Sequence, residues 1–374
     1  MASTSLSFTV SLDDDEKCID SPVTLPVVPQ HSLQSFQKDG FVVVPNVVSA
    51  TNVDDLNERL EDILRGDYDR GQAPDKTPRL VKLAKHRAVD ESVAAVEVTP
   101  SSRPKDMDTR TPKTDERRLA TATDATYRKT TKKVSPAAGP LGFSGNLQNV
   151  KVLQVINVHK SDSLFRKLAC CPALGKVVAD LMGWKDGARL AQDQVWAKPP
   201  GGAPLTYHRD SPYFMFSPAA VATVWIALDH MDPELGPLEY VVGSHKWDRG
   251  RVGSANQFFQ SNGGVSLLNS AVADNGLSRR DVQVVSMAGL QAGGLSIHNG
   301  LTWHGSARNT SRDRPRRGLG LHFVPVSVRF TEEAVFSQLW GHYVEDAEDA
   351  SQVELPLQDF PISWKPNALD ETRQ

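Results

Sequence analysis

The chain has 374 residues, which is enough for one large domain with appendages. Its 42 basic and 45 acidic side chains leave a net charge of −3, so no electrostatic feature favours nucleic acid or a membrane surface as a partner. It contains no run of eighteen apolar residues, and we expect no transmembrane helix. The three cysteines do not suggest a disulfide framework, which favours a reducing compartment such as the cytoplasm, with an organelle left open.

Residues 1–30 combine a Ser/Thr-rich start with an acidic run, and we interpret them as a flexible tail. A short helix over Leu33–Lys38 and a strand over Phe41–Val44 are predicted next. Apolar residues then recur at helical spacing at Val53, Leu56, Leu60, Ile63 and Leu64. We predict that Thr51 and Asp54 form a capping pair for this helix and that Gly66 ends it.

Residues 97–137 are rich in charge, threonine and proline and have few large apolar side chains. Such a stretch buries little surface, and we predict a polar insertion. A basic lid or partner-binding arm is the alternative interpretation.

The globular pattern returns after Leu141. One or two amphipathic helices are predicted between residues 164 and 181, broken near Pro172 and ended by Gly183. Short apolar runs separated by Gly/Pro turns then indicate strands at Val221–Leu228, Val282–Val285, Gly294–Ile297 and Gly318–Val324. Residues 331–374 are predicted to form an irregular C-terminal extension. The pattern indicates a mostly β fold with flanking helices.

Three side chains in this β region suit a metal site. His208 and Asp210 are spaced so that both point to one side of a strand, and His304 follows much later in the chain. Two histidines and one carboxylate form the facial triad that binds Fe(II) and leaves positions open for a co-substrate and O2. A His-x-Asp pair alone is weak support, since it also arises by chance.

A strand is predicted after Pro315, with Arg316, Gly318, Gly320 and His322 on one face. That face is small and polar and suits the wall of a cavity, whereas the other face is mainly apolar. An arginine at its start can hold a carboxylate through two parallel hydrogen bonds.

The chain contains a series of short motifs, in this order: residues 36–45 (FQKDGFVVVP), 198–202 (KPPGG), 208–210 (HRD), 225–229 (WIALD), 236–247 (GPLEYVVGSHKW) and 304–306 (HGS). With these motifs, the stretch from about Leu33 to Pro325 resembles the phytanoyl-CoA dioxygenase family of Fe(II)/2-oxoglutarate-dependent oxygenases. The resemblance implies a double-stranded β-helix, the cupin-like jelly roll, over residues 31–330. It also implies that His208, Asp210 and His304 bind Fe(II), and that Arg316 binds 2-oxoglutarate. The implied reaction is hydroxylation of an aliphatic C–H of a small lipid-like molecule or secondary metabolite, with release of succinate and CO2.

The sequence departs from the family pattern at two places. Pro315 stands where the family has its arginine, so Arg314 and Arg317 compete with Arg316, although strand alternation favours Arg316. Arg209 lies between two proposed ligands; it either favours an anionic substrate or faces solvent, and we favour solvent.

Ser306, Trp225 and Lys198 are further candidates for contact with the co-substrate. Each also has an ordinary interpretation, as a turn residue, a core residue and a solvent-facing cation respectively. His298 is expected to support the site indirectly, and His245 to have a role in the fold. Tyr213, Phe214 and Phe216 are candidates for the substrate wall, although aromatic clusters more often form core.

A catalytically inactive cupin-like binding or scaffolding protein is the alternative from another functional class. A metal-dependent isomerase of the same fold is a third, but it has no need of Arg316. A small molecule is the expected partner, the sequence specifies no oligomeric state, and a monomer is the simplest expectation.

Overall fold

The computed structural model describes residues 6–12, 25–77, 152–252 and 265–366. The polar insertion predicted at 97–137 lies outside these ranges. Across the described part of the chain, no helix has the length and apolar character needed to cross a membrane.

The described helices are α1 (Gln30–Asp39), α2 (Ala50–Arg65), α3 (Ser163–Ala169), α4 (Pro172–Met182), α5 (Ser266–Asp274) and α6 (Gly341–Val344). The predicted amphipathic face of α2 is confirmed, because four of its five apolar residues are buried and the fifth, Leu64, is partly buried against the same core. Gly66 ends this helix in the left-handed conformation, as predicted. The predicted capping pair is wrong: Ser49 is the N-cap, and its side chain accepts a hydrogen bond from the Asn52 amide at 3.1 Å.

The strands are β1 (Phe41–Val44), β2 (Leu153–Ile156), β3 (Ala188–Lys198), β4 (Leu205–His208), β5 (Phe216–Ser217), β6 (Ala222–Ala227), β7 (Leu238–Val241), β8 (Val284–Ser286), β9 (Leu295–Asn299), β10 (His304–Ser306), β11 (Arg316–Pro325), β12 (Arg329–Phe330) and β13 (Ile362–Trp364). The major sheet has the order β1-β9-β6-β11-β3-β13, and β2 also pairs with β3. The minor sheet has the order β4-β10-β7-β8. All pairs in both sheets are antiparallel, and the expected cupin-like fold is confirmed.

The central strand β11 separates core from cavity. Leu319, Leu321 and Phe323 are fully buried in the apolar core that also contains side chains of α2 and α4. The opposite face directs Arg316 and His322 to a cavity that side chains of both sheets line. The predicted division of this strand into a packing face and a cavity face is therefore confirmed.

The N-terminal residues differ from the flexible tail expected for 1–30. Leu6, Phe8, Val10 and Leu12 are buried in the same core, and Val10 forms a parallel bridge with Val48. Their spacing of two is the alternation of a strand-like segment with one buried face. The expectation was therefore wrong over residues 6–12.

The C-terminal residues also differ from the expected irregular extension. Strand β13 pairs with Ala188 and Arg189 at one end of β3, next to the stretch of β3 that pairs with β2. A buried aromatic cluster joins Phe360 and Trp340 to Phe216 and Phe330 from the β region. The described C-terminal residues are therefore part of the same packed structure.

Replacing Phe360 tests this integration. Phe360→Ala should lower the free energy of unfolding by about 3–5 kcal/mol, because a large aromatic side chain that is 1% exposed is lost from a packed cluster. Leu357→Ala is the control: Leu357 is 61% exposed, and its loss should change stability by less than about 0.5 kcal/mol. Denaturant unfolding measures both, and equal effects would contradict the assignment of residues 331–366 to the packed structure.

Candidate active site

Two neighbouring strands of the minor sheet bring the three predicted metal ligands together. His208 ends β4 and is the direct cross-strand partner of His304 on β10. The Nε2 atoms of His208 and His304 each lie 3.5 Å from Oδ1 of Asp210, and the ligand atoms are all within 4.8 Å of one another. Asp210 reaches this position differently from expected, because β4 ends at His208 and Asp210 has helical backbone angles at the start of a short turn.

Backbone carbonyls orient both imidazoles. Nδ1 of His208 lies 2.8 Å from the carbonyl oxygen of Thr206, and Nδ1 of His304 lies 3.0 Å from that of Thr302. A carbonyl only accepts, so Nδ1 carries the hydrogen and the Nε2 lone pair points to Asp210. Burial lowers the pKa of His304 well below its usual range, so this ring is neutral and able to bind a metal.

Hydrogen bonds hold Asp210 in its ionised form. Its Oδ2 atom accepts from the Thr223 hydroxyl at 2.6 Å and from Nε2 of His298 at 3.0 Å. Burial alone would raise its pKa, but the surrounding imidazoles, with the hydrogen bond that His298 donates, keep that pKa well below its usual range. The remaining oxygen, Oδ1, faces the two imidazoles.

The outer partners of Asp210 form an ordered chain of donors and acceptors. A carboxylate only accepts, so His298 donates from Nε2, and its Nδ1 accepts from the Tyr240 hydroxyl at 3.0 Å. Burial raises the pKa of Tyr240 far above its usual range, so this hydroxyl keeps its hydrogen. On the other side, Thr223 lies 2.9 Å from Nδ1 of His322, and burial lowers the pKa of His322 to about 4. His298 thus has the supporting position expected from the sequence.

The three side chains fit a 2-His-1-carboxylate metal site. They offer two nitrogen donors and one carboxylate oxygen within binding distance of a single ion, all buried. Each is oriented through its other polar atom, which is the usual support for metal ligands.

A pair of buried cations lies at another edge of this cavity, which Arg316 lines. Lys198 on β3 and Arg316 on β11 are direct cross-strand partners that are 0% and 2% exposed. Both donate to the Ser306 hydroxyl, at 2.8 and 3.1 Å, and Lys198 also donates to the carbonyl of Ala307. No carboxylate of the described residues forms an ion pair with either cation, and Nε of Arg316 has no hydrogen-bond partner among them.

The electrostatics of this pair favour an anion. Burial lowers the pKa of Arg316 to about 10, so it stays charged at neutral pH. Burial, followed by repulsion from Arg316, lowers the pKa of Lys198 well below its usual range. A bound carboxylate would supply a negative charge that balances these two buried cations.

The competing arginines lie elsewhere. Arg317 binds Asp229 through two of its nitrogens, and Arg314 binds Asp232 and Glu234 near the surface. Arg209 neither lines the cavity nor faces solvent fully: it is half-buried, donates to the Gly250 carbonyl and lies 5.4 Å from the ring centre of Trp303.

The aromatic candidates divide between cavity and core. Trp225 lines the cavity, with its ring against Gly318, where an added Cβ would lie only 2.5 Å from the ring. Tyr213 and Phe214 line the cavity and also contact the aromatic cluster of the C-terminal residues, whereas Phe216 lies in that cluster alone. His245 has a contact in the fold, to the Gln37 carbonyl of α1.

The cavity measures about 720 Å³, within the range of small-molecule sites. One of its walls was missed by the sequence analysis: β3 directs Gln192, Gln194 and Trp196 into it. The signal was the alternation over residues 194–198, where Gln194, Trp196 and Lys198 are separated by the small apolar residues Val195 and Ala197.

The sequence profile of the phytanoyl-CoA dioxygenase (PhyH) family matches residues 36–318. The chain belongs to the phytanoyl-CoA dioxygenase family. The Caenorhabditis elegans protein named phytanoyl-CoA dioxygenase domain-containing protein 1 homolog is 23% identical over 301 residues, 78% of this chain and 89% of that protein.

Two solved structures share the fold. The carbocyclase SnoK from nogalamycin biosynthesis, named as non-heme and alpha ketoglutarate dependent, has a TM-score of 0.54 at 17% identity, covering 90% of this chain and 96% of its own. The epimerase SnoN from the same biosynthesis, named in the same terms, has a TM-score of 0.53 at 18% identity, covering 88% and 96%. Different reactions are thus named for proteins of this fold.

The hydroxyl that orients Asp210 can be tested separately from the ligands. Thr223→Val keeps the shape of the side chain but removes the donor to Oδ2, and affinity for Fe(II) should fall by about 10- to 100-fold. Thr223→Ser keeps the hydroxyl and should retain affinity. Anaerobic titration calorimetry with Fe(II) measures both, and equal affinity of the valine variant and the wild type would contradict this role.

Proposed function

We propose that the protein is an Fe(II)- and 2-oxoglutarate-dependent dioxygenase that hydroxylates an aliphatic C–H of a small organic molecule. One observation carries the proposal: a buried 2-His-1-carboxylate cluster lines the same cavity as Arg316, a buried cation that, with its neighbour Lys198, has no acidic ion-pair partner among the described residues. A metal site together with an anion site is what a chelating dicarboxylate co-substrate requires.

His208, Asp210 and His304 would hold the metal. When bound, Fe(II) supplies the activation of O2 that is coupled to conversion of 2-oxoglutarate to succinate and CO2. The protein holds three donors on one side of the ion, fixes the imidazoles through Nδ1 and keeps Asp210 ionised. The carboxylate also distinguishes the site from the related halogenases, which lack it, and favours hydroxylation.

Arg316, Lys198 and Ser306 would hold the distal carboxylate of 2-oxoglutarate. Arg316 offers an unpartnered Nε, and Ser306 already bridges the two cations. Trp225 lies beside Arg316, with 5.8 Å between the guanidinium carbon and the ring centre, and limits how far the arginine can move.

The oxygenase is tested by succinate formation. Anaerobically reconstituted Fe(II) protein with 2-oxoglutarate should release succinate after O2 is admitted. Asp210→Ala should reduce the rate at least about 100-fold, because loss of a direct ligand costs more than loss of its support. Mass spectrometry of added aliphatic compounds then distinguishes hydroxylation from desaturation or ring closure.

The same measurement tests the alternative of an inactive binding protein. Absence of succinate together with absence of tight Fe(II) binding would contradict the dioxygenase and favour the binding protein. Tight Fe(II) binding without succinate, even when candidate substrates are added, would contradict the proposed reaction while leaving the metal site intact.

The co-substrate site has its own test. Arg316→Gln should raise the KM for 2-oxoglutarate at least about tenfold, because a charge-assisted hydrogen bond to a buried carboxylate is lost. Arg314→Gln is the matched control, since Arg314 binds only acidic residues near the surface. Equal KM values for the two variants would contradict the placement of 2-oxoglutarate at Arg316.

A further inference from the structure

Two side chains with unused hydrogen-bonding atoms lie next to each other on the cavity wall. Gln192 on β3 and His322 on β11 are direct cross-strand partners, and both line the cavity. They are 2% and 6% exposed, yet Nε2 of Gln192 and Nε2 of His322 have no partner within the described structure. Buried polar atoms are rarely left unpaired, so these two atoms point to a ligand group.

A chain of hydrogen-bonded side-chain amides determines which group Gln192 presents to the cavity. Lys76 near the surface can only donate, and it does so to Oε1 of Gln154 at 3.0 Å. Gln154 therefore donates from Nε2 to Oε1 of Gln194 at 2.8 Å, and Gln194 donates to Oε1 of Gln192 at 2.6 Å. Every amide in the chain has the same direction, so Gln192 presents its NH2 group, a donor, to the cavity.

The hydrogen bonds around Asp210 determine which group His322 presents to the cavity. Asp210 accepts the only hydroxyl hydrogen of Thr223, so the Thr223 oxygen must accept from Nδ1 of His322. In the neutral imidazole, the hydrogen on Nδ1 leaves Nε2 with a lone pair. His322 therefore presents an acceptor to the cavity beside the donor of Gln192.

We propose that Gln192 and His322 together bind a hydroxyl group of the substrate. A hydroxyl can donate to His322 and accept from Gln192 at the same time, whereas a carbonyl or ether can only accept. This inference rests on the proposed function and narrows its substrate class to an aliphatic alcohol. The Phe214 ring, with its centre 5.0 Å from that of His322, offers an apolar surface for the adjoining carbon skeleton.

His322 lies between the hydroxyl site and the metal ligand Asp210. Nδ1 of His322 lies 3.8 Å from Oδ2 of the metal ligand Asp210. A hydroxyl bound at Nε2, on the other edge of this ring, is therefore separated from the ligand Asp210 by one imidazole, and in this proposal the C–H bond to be oxidised belongs to the same small molecule.

Cyclohexanol and cyclohexanone test the proposal, since they have similar size but only the alcohol can donate. Their affinities are measured by ligand-observed NMR with Zn(II) in place of Fe(II) and with 2-oxoglutarate present, so that no turnover is needed. Wild type should bind the alcohol about fivefold or more tightly than the ketone, the factor expected for one net hydrogen bond. His322→Phe should abolish this preference, and Gln192→Leu should weaken both probes.

Gln352→Leu is the matched control, because Gln352 is an exposed glutamine that does not line the cavity. It should leave both affinities unchanged. Equal binding of alcohol and ketone to wild type, no binding of either probe, or an unchanged preference in His322→Phe would overturn the proposal.

A parallel measurement separates this site from the co-substrate site. Anaerobic calorimetry of 2-oxoglutarate binding to the Fe(II) protein should give the same affinity for wild type and both variants. A tenfold loss in Gln192→Leu or His322→Phe would assign the pair to the co-substrate instead. Because the probe titration needs no turnover, its failure and a failure to form succinate are separate results.

Discussion

The site depends on one buried carboxylate, Asp210. An ionised group with a side chain that is 7% exposed is costly unless its oxygens are satisfied. Thr223 on β6 and His298 on β9 satisfy one oxygen, and their own partners reach β7 and β11. Strands of both sheets are thereby linked through one side chain, and the other carboxylate oxygen is left facing the two imidazoles.

Unlike Asp210, the two buried cations are only partly satisfied by groups of the protein. Lys198 and Arg316 are buried without an acidic partner in the described structure, which lowers the pKa of both and costs stability. Such a cost is common at functional sites, where the group that satisfies the charge is a ligand rather than a side chain. Ser306 and the backbone carbonyl of Ala307 satisfy only part of their hydrogen-bonding capacity.

The fold by itself does not specify which reaction is catalysed. A carbocyclase and an epimerase share the architecture, so the jelly roll itself does not select the outcome. On the cavity wall of this chain, a directed chain of glutamines meets a histidine that is oriented through Thr223 and Asp210. Hydrogen-bonding capacity on this wall favours an oxygenated aliphatic compound over a plain hydrocarbon chain.

Much of this architecture was readable in the sequence. The period of 3.6 in α2 and the alternation in β11 follow from local geometry, and both predicted buried faces are confirmed. The family motifs also identified the three metal-ligand candidates. Two segments were misjudged: residues 6–12, whose apolar side chains do alternate, and the C-terminal aromatic residues. Both are buried through contacts with distant parts of the chain, which local sequence does not specify.

The sequence by itself therefore determined the fold class, the family and the residues that can bind a metal, because these follow from periodicity and from motifs in a set order. Only the tertiary structure decided which arginine faces the cavity and how Asp210 reaches the imidazoles. It alone placed Gln192 beside His322. Hydrogen-bond direction depends on which donors and acceptors meet across strands, and residues far apart in the chain do not specify that locally.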